Sequence, residues 1–167
     1  MRDMSFLLPD TYVESDSSTI KELAYSIIAG CPTDMEKTRA IHDWVASNIP
    51  YDTKAYFSKQ LHEYSALETL KGKTAVCNGY ANLTAALNRA IGIKTKIVVG
   101  TASNSSGTEG HAWNESFIDG KWVIQDTTWD AGGIDPKTKQ FKFRLSHKYF
   151  NPTPEVFEKD HTKNGEK

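Results

Sequence analysis

The 167-residue chain has few cysteines, since Cys31 and Cys77 are the only two. Two cysteines are too few for the disulfide scaffold of a small secreted domain, and a single bridge between them is the less favoured interpretation. Neither has a neighbouring Cys or His at the spacing of a zinc site, so we expect neither a metal nor another cofactor. Each cysteine is therefore either an inert core residue or a nucleophile.

An excess of charge of one sign and long apolar segments are also missing. The 20 Lys and Arg residues nearly balance the 21 Asp and Glu residues, which gives no reason to expect a nucleic-acid partner. No apolar run could span a bilayer and the N-terminus lacks a basic-then-apolar signal pattern, so we expect no membrane insertion. Location and oligomeric state stay open.

The composition is that of an ordinary globular protein, with 38% hydrophobic and 25% charged residues. A chain of this length suits one domain over residues 1–167 better than two. We expect its core at about residues 30–160, an irregular lead-in over 1–15 and a fraying, charged tail over 152–167.

Helical spacing dominates the first half of the chain. Thr19-x-x-Glu22 and Thr33-x-x-Glu36 have the pattern of capping boxes and predict the starts of two helices. Pro50 should end the second of these. A short helix is expected at about 65–70.

Cys77 lies at the predicted first turn of an amphipathic helix that runs to Ile91, with Gly92 as its C-terminal cap. Free N–H groups and the helix dipole at such a position favour a thiolate. The alternative is a small buried hydrophobic residue, which free cysteine often is.

Strand-like patterns follow, and the order of helices first and an antiparallel sheet second predicts an α+β domain. Residues 101–110 are polar and predict a mobile loop. The sequence Asp119-Gly120 predicts the turn of a hairpin. The predicted strands are 94–100, 111–117, 121–129 and 141–145.

The hairpin places His111 and Asp126 near each other. A two-residue turn pairs Ile118 with Lys121, which makes His111 and Asp126 diagonal neighbours on one face, about 7–8 Å apart. A register slip of one residue would put them on opposite faces. If the helix that carries Cys77 packs on this sheet, the three side chains form the arrangement used for covalent acyl transfer.

Three segments resemble motifs of the transglutaminase-like superfamily of papain-like cysteine enzymes. Residues 75–93, AVCNGYANLTAALNRAIGI, resemble its cysteine helix. Residues 111–130, HAWNESFIDGKWVIQDTTWD, resemble its histidine and aspartate strands, and residues 33–52 resemble the helix that precedes them. Their order along the chain is that of the family.

Carried over residue by residue, the resemblance implies that Cys77 is the nucleophile, His111 the base and Asp126 the orienting acid. It implies a papain-like α+β fold with the nucleophile helix packed on an antiparallel sheet. The chemistry it implies is attack on the amide of a protein or peptide, at a peptide bond or a glutamine side chain, to form a thioester. Water or an amine then accepts the acyl group, with no cofactor.

The resemblance leaves the reaction open. A peptidase or amidase is favoured over a protein-crosslinking transglutaminase, because a small domain lacks an obvious platform for a second substrate. A non-catalytic protein-binding module of the same fold is the alternative of another class. Such modules typically lose a triad residue, whereas all three positions are intact here.

Other residues have less definite assignments. Tyr51 matches the family's Tyr-Asp after the preceding helix and is the candidate second oxyanion donor beside the Cys77 backbone amide. Trp113 and Trp129 are candidates for a substrate groove, with core packing as the alternative. Asp130 is interpreted as a turn residue, and His161, in the tail, has no visible catalytic partner.

Overall fold

Seven helices and six strands form the part of the chain that the computed structural model describes, residues 4–167. The helices are α1 (Ser18–Ile27), α2 (Asp34–Asn48), α3 (Thr53–Ser58), α4 (Ala66–Gly72), α5 (Cys77–Ala90), α6 (Thr127–Ala131) and α7 (Pro154–Phe157). The strands are β1 (Thr95–Asn104), β2 (Gly107–Ile118), β3 (Lys121–Gln125), β4 (Gly132–Ile134), β5 (Phe141–Phe143) and β6 (His161–Glu166). Residues 1–3 of the predicted lead-in lie outside the described residues, and Met4–Leu7 form a short 3-10 helix.

The main sheet is antiparallel, with strand order β3-β2-β1-β6. Helix α5 packs on β2 and β1, and α1, α2 and α4 surround it. It is buried from Gly79 to Arg89, so it forms the centre of the core. This arrangement confirms the predicted α+β class, with the Cys77 helix on an antiparallel sheet. None of the described helices is both long and apolar enough to cross a membrane.

The helix starts follow local capping chemistry in part. The Thr33 hydroxyl accepts a hydrogen bond from the Glu36 N–H at 3.2 Å, which confirms that capping box. The predicted start at Thr19 is wrong, because α1 already begins at Ser18 after Ser17. Consecutive hydroxyl residues there all suit a cap, and the spacing pattern did not distinguish between them.

The hairpin turn confirms the predicted register. Asp119 and Gly120 have φ angles of 51° and 79°, the left-handed conformations of a tight two-residue hairpin turn. Ile118 pairs with Lys121 as expected. The predicted extension of the second strand to residue 129 is wrong, because the Asp126 side chain caps a helix there: its Oδ1 accepts from the Trp129 N–H at 3.1 Å.

The predicted loop over 101–110 is also wrong, since β1 and β2 stay paired as far as Asn104 and Gly107. The tail does not fray but forms α7 and then β6, which pairs with β1. Backbone hydrogen bonds hold an edge strand to its neighbour, so the side chains of such a strand can be polar. Lys96 Nζ supports the pairing from β1 with an ion pair to Glu166 Oε2 at 2.8 Å. Strand β5 stops at Phe143, before the predicted end at residue 145.

Close packing at Gly79 fixes the first turns of α5. A Cβ atom at Gly79 would lie 2.4 Å from Ala75 Cβ, 2.6 Å from Thr69 Oγ1 and 2.9 Å from Tyr64 Cβ. Such distances are well inside van der Waals contact, so a side chain would force neighbours apart. Glycine at this position lets the helix that begins with Cys77 seat against its neighbours.

We therefore expect Gly79→Ala to lower the free energy of unfolding by about 1–3 kcal/mol, as overpacking of a core does. Gly72→Ala is the matched control, because a Cβ on this helical glycine meets nothing within 4 Å. Urea unfolding should show no loss of stability for Gly72→Ala. Equal effects of the two changes would contradict the packing argument.

Candidate active site

Cys77 is the first residue of α5 and lies half-buried on an open groove. The N–H groups of a first helical turn have no acceptor within the helix and carry partial positive charge. Val76, the residue before it, is extended and contributes no capping side chain. The thiol therefore sits where a negative charge is stabilised and a substrate can reach it.

His111 lies on β2, beside the groove, and its Nε2 is 2.7 Å from Asp126 Oδ2. The Asp126 side chain is fully buried, whereas that of His111 retains 7% exposure. Because Nε2 bonds to the carboxylate, the other ring nitrogen is left for Cys77, which lies close enough to contribute to the raised pKa of the ring. The structure thus brings the three predicted triad residues together in one row.

The pKa values of this pair are displaced in opposite directions. Burial by itself would lower the pKa of His111, but the charge and hydrogen bond of Asp126, with a further contribution from Cys77, raise it to about 10. Burial by itself would raise the pKa of Asp126, but His111 and His161 lower it below its usual range. The site therefore favours an ionised Asp126 beside a protonated His111.

The groove next to Cys77 has a volume of about 600 Å³ and aromatic walls. Tyr51, Tyr56 and Phe57 lie along it with Trp129 and Phe141. Aromatic walls with a few polar groups are typical of sites that bind extended organic substrates.

The remaining sequence candidates lie in different places. Tyr51 lines the groove close to Cys77, and burial followed by the charges of Cys77 and Glu109 raises its pKa. Trp129 lines the groove too. The groove assignment of Trp113 is wrong, because this side chain is 2% exposed and packs below the site against Phe157. Trp113 lies on a central strand of the sheet with its side chain buried, so it is a core residue.

A second histidine touches the triad carboxylate, and sequence reasoning missed it. His161 Nε2 lies 2.8 Å from Asp126 Oδ2, the oxygen that also bonds His111. The same ring contacts Asp160 Oδ1 through Nδ1 at 2.7 Å. The sequence predicts a fraying, charged tail over 152–167, and no local pattern in it indicates the pairing of β6 with β1.

Among the residues that the structure describes, one cluster brings side chains of the metal-binding type close together, and it consists of His111, Asp126 and His161. Their atoms are joined at 2.7 and 2.8 Å, which are hydrogen-bond lengths. One carboxylate oxygen accepts from both imidazoles, so these contacts form a hydrogen-bond network with its donors and acceptors matched.

Another buried pair connects α2 to α6. His42 Nε2 lies 2.8 Å from Asp130 Oδ2, and both side chains are fully buried. His42 Nδ1 lies 3.1 Å from Gln125 Oε1. Asp130 is therefore part of a helix and a buried hydrogen-bonded pair rather than a simple turn residue. Because α6 also contains the cap formed by Asp126, this pair helps to fix the triad carboxylate.

Comparison with known proteins gives one consistent family. The transglutaminase-like superfamily matches residues 21–127, most of the chain. The chain is 31% identical to the mouse (Mus musculus) kyphoscoliosis peptidase and 32% identical to the human (Homo sapiens) protein. In both cases the match covers 86% of this chain but only 23% of the relative.

A solved structure from Cytophaga hutchinsonii, described as a candidate cysteine protease, has a similar fold. Its TM-score is 0.66 at 29% sequence identity, over 86% of this chain and 46% of that one. The helix-plus-antiparallel-sheet architecture thus occurs in a second protein. The chain belongs to the transglutaminase-like superfamily.

Proposed function

We propose that the protein is a cysteine-dependent enzyme that cleaves or transfers the acyl group of an amide through a thioester. Cys77 is the nucleophile, His111 the proton carrier and Asp126 the group that orients the imidazole. The observation that supports this most strongly is the row from Cys77 through His111 to the Asp126 carboxylate at the edge of an open groove.

In the first half of the reaction, Cys77 Sγ forms a bond to the carbonyl carbon of the substrate amide. The carbonyl π electrons move to the oxygen, where the Cys77 backbone N–H stabilises the negative charge. When the carbonyl re-forms, the C–N bond breaks and protonated His111 gives its proton to the leaving amine. A thioester and a neutral His111 remain.

In the second half, His111 takes a proton from water as the water oxygen bonds to the thioester carbon. The C–S bond then breaks, which releases a carboxylic acid and the Cys77 thiolate beside a protonated His111. An amine in place of water would give a new amide. Asp126 holds the ring in the same orientation through both steps.

Peptide-bond hydrolysis is the form of this reaction that we favour. The mouse and human relatives are named peptidases, and the Cytophaga structure is described as a cysteine protease. The groove is open and lined by aromatic side chains, which suits an extended peptide. Tyr51 is our candidate for a second group facing the oxyanion, because it lies on the groove beside Cys77.

The first test is the rate of iodoacetamide labelling of Cys77 at a pH of about 6.5. A free thiol with a pKa of about 8.5 is only about 1% thiolate there, whereas a thiolate paired with an imidazolium reacts readily. We expect His111→Ala to slow labelling of Cys77 about ten- to a hundredfold. Peptide mass spectrometry identifies which cysteine is modified.

Cys31 is an internal control, because it is the other free cysteine and lies outside this groove. Its labelling rate should be the same with and without His111. If Cys77 labels slowly in the unmodified protein as well, the triad does not activate the thiol. A non-catalytic binding module would then be the better description.

The second test separates hydrolysis from transfer. The protein is incubated with a peptide library that contains glutamine, in the presence of a fluorescent primary amine. We expect peptide fragments that carry the mass of one added water, and none with Cys77→Ala, because the thioester cannot form without Sγ. Amine incorporation at glutamine without cleavage would instead identify a transglutaminase.

A further inference from the structure

We propose that His161 is a positioning residue of this site, the fourth member of the row after Cys77, His111 and Asp126. This proposal rests on the proposed function, because both concern the Cys77 thiol. His161 fixes the orientation of the Asp126 carboxylate, and that carboxylate fixes His111.

Both imidazoles bond to the same atom. His111 Nε2 and His161 Nε2 lie 2.7 and 2.8 Å from Asp126 Oδ2, while Asp126 Oδ1 accepts from the Trp129 N–H at 3.1 Å. A carboxylate on a single bond can rotate, but three donors in fixed directions leave one orientation. Removing His161 removes one of these three and leaves a fully buried carboxylate with fewer partners.

His161 is itself held from its far side. Its Nδ1 lies 2.7 Å from Asp160 Oδ1, and the Tyr149 hydroxyl donates to Asp160 Oδ2 at 2.7 Å. Both ring nitrogens thus lie at hydrogen-bond distance from carboxylate oxygens. The groups that carry or exchange charge around it are Asp126, Asp160, His111 and Tyr149.

Aromatic rings close off the remaining directions. The His161 ring stacks on Phe157 with centroids 3.9 Å apart and an angle of 21°, and it meets Trp129 edge-on at 4.7 Å. Trp113 is also edge-on, at 5.0 Å. The side chain has no exposed surface. These rings pack around His161 and restrict the orientation of its imidazole.

The backbone of β6 next to His161 packs closely against β1. His161 pairs with Ala102 on β1, and two pairs further along β6 crosses Gly100. A Cβ atom on Gly100 would lie 1.9 Å from the Thr162 carbonyl oxygen, so only glycine allows this approach. The last strand therefore delivers a histidine to the Asp126 carboxylate from outside residues 21–127, which match the superfamily.

An alternative explanation is that His161 only fastens β6 to the sheet. In that case its loss would change stability without changing the reactivity of Cys77. Three variants separate the two roles. His161→Phe keeps a ring against Phe157 but has no nitrogen. His161→Gln keeps an N–H donor at about the reach of Nε2, and Phe157→Leu removes the stacking but neither hydrogen bond.

The measurement is the iodoacetamide labelling rate of Cys77 as a function of pH, with thermal unfolding recorded for each variant. We expect His161→Phe to label about tenfold more slowly at acidic and neutral pH, the loss expected for one hydrogen bond to a charged group. At alkaline pH, where the thiol ionises without help, the rates should converge. His161→Gln should recover most of the rate, and Phe157→Leu should label like the unmodified protein.

Asp160→Ala is the second variant if His161→Phe does not fold, because the Asp160 side chain is partly exposed and its hydrogen bonds go to His161 and Tyr149. It frees the far nitrogen of His161 and should lower the rate about threefold, as a weakened hydrogen bond does.

Two results would overturn the proposal: unchanged labelling in folded His161→Phe or Asp160→Ala, or a loss in His161→Phe that His161→Gln does not restore. If His111→Ala still slows the labelling of Cys77, either result contradicts the role of His161 but not the proposed function. If His111→Ala leaves labelling unchanged, the proposed function is contradicted as well.

Discussion

The buried carboxylate of Asp126 is the constraint on which the site depends. A buried charge is costly unless it is paired and hydrogen-bonded. Here His111 and His161 bond to one oxygen and the Trp129 N–H to the other. Each partner comes from a different part of the fold, so β2, β6 and α6 must all be in place for the carboxylate to be buried. The proposed chemistry and the packing are therefore coupled through one side chain.

The position of this carboxylate follows from a change in backbone direction. Strand β3 ends at Gln125, and Asp126 begins a short helix whose N-terminus it caps. His42 holds the far end of that helix through Asp130, at 2.8 Å. Asp126 thus lies between a strand and a helix that is anchored to α2, while the Cys77 thiol lies at the start of α5. Cys77 and Asp126 thus both lie at helix N-termini, where negative charge is favoured.

Local patterns predicted the elements whose register or caps are set by neighbours in sequence. The Asp119-Gly120 turn set the hairpin register, and the helical spacing after Cys77 set α5. The position of β6 could not be predicted, because its polar residues are held by backbone pairing with β1, a contact between distant parts of the chain. His161 was missed for the same reason. The sequence predicts the same groove role for Trp113 and Trp129. Trp113 is a core residue on β2, whereas Trp129 lies on α6, after the chain has left the sheet, and lines the groove.

The protonation state of His111 tests this account most directly. Nitrogen NMR of the labelled imidazoles follows each ring through a pH titration. If the ionised Asp126 controls the site, the pKa of His111 is about 10 and its ring stays protonated through neutral pH, losing its proton only as the pH rises through that value. In Asp126→Asn the midpoint should fall towards the ordinary histidine value of about 6.5. A His111 ring that already titrates near 6.5 in the unmodified protein would contradict the account.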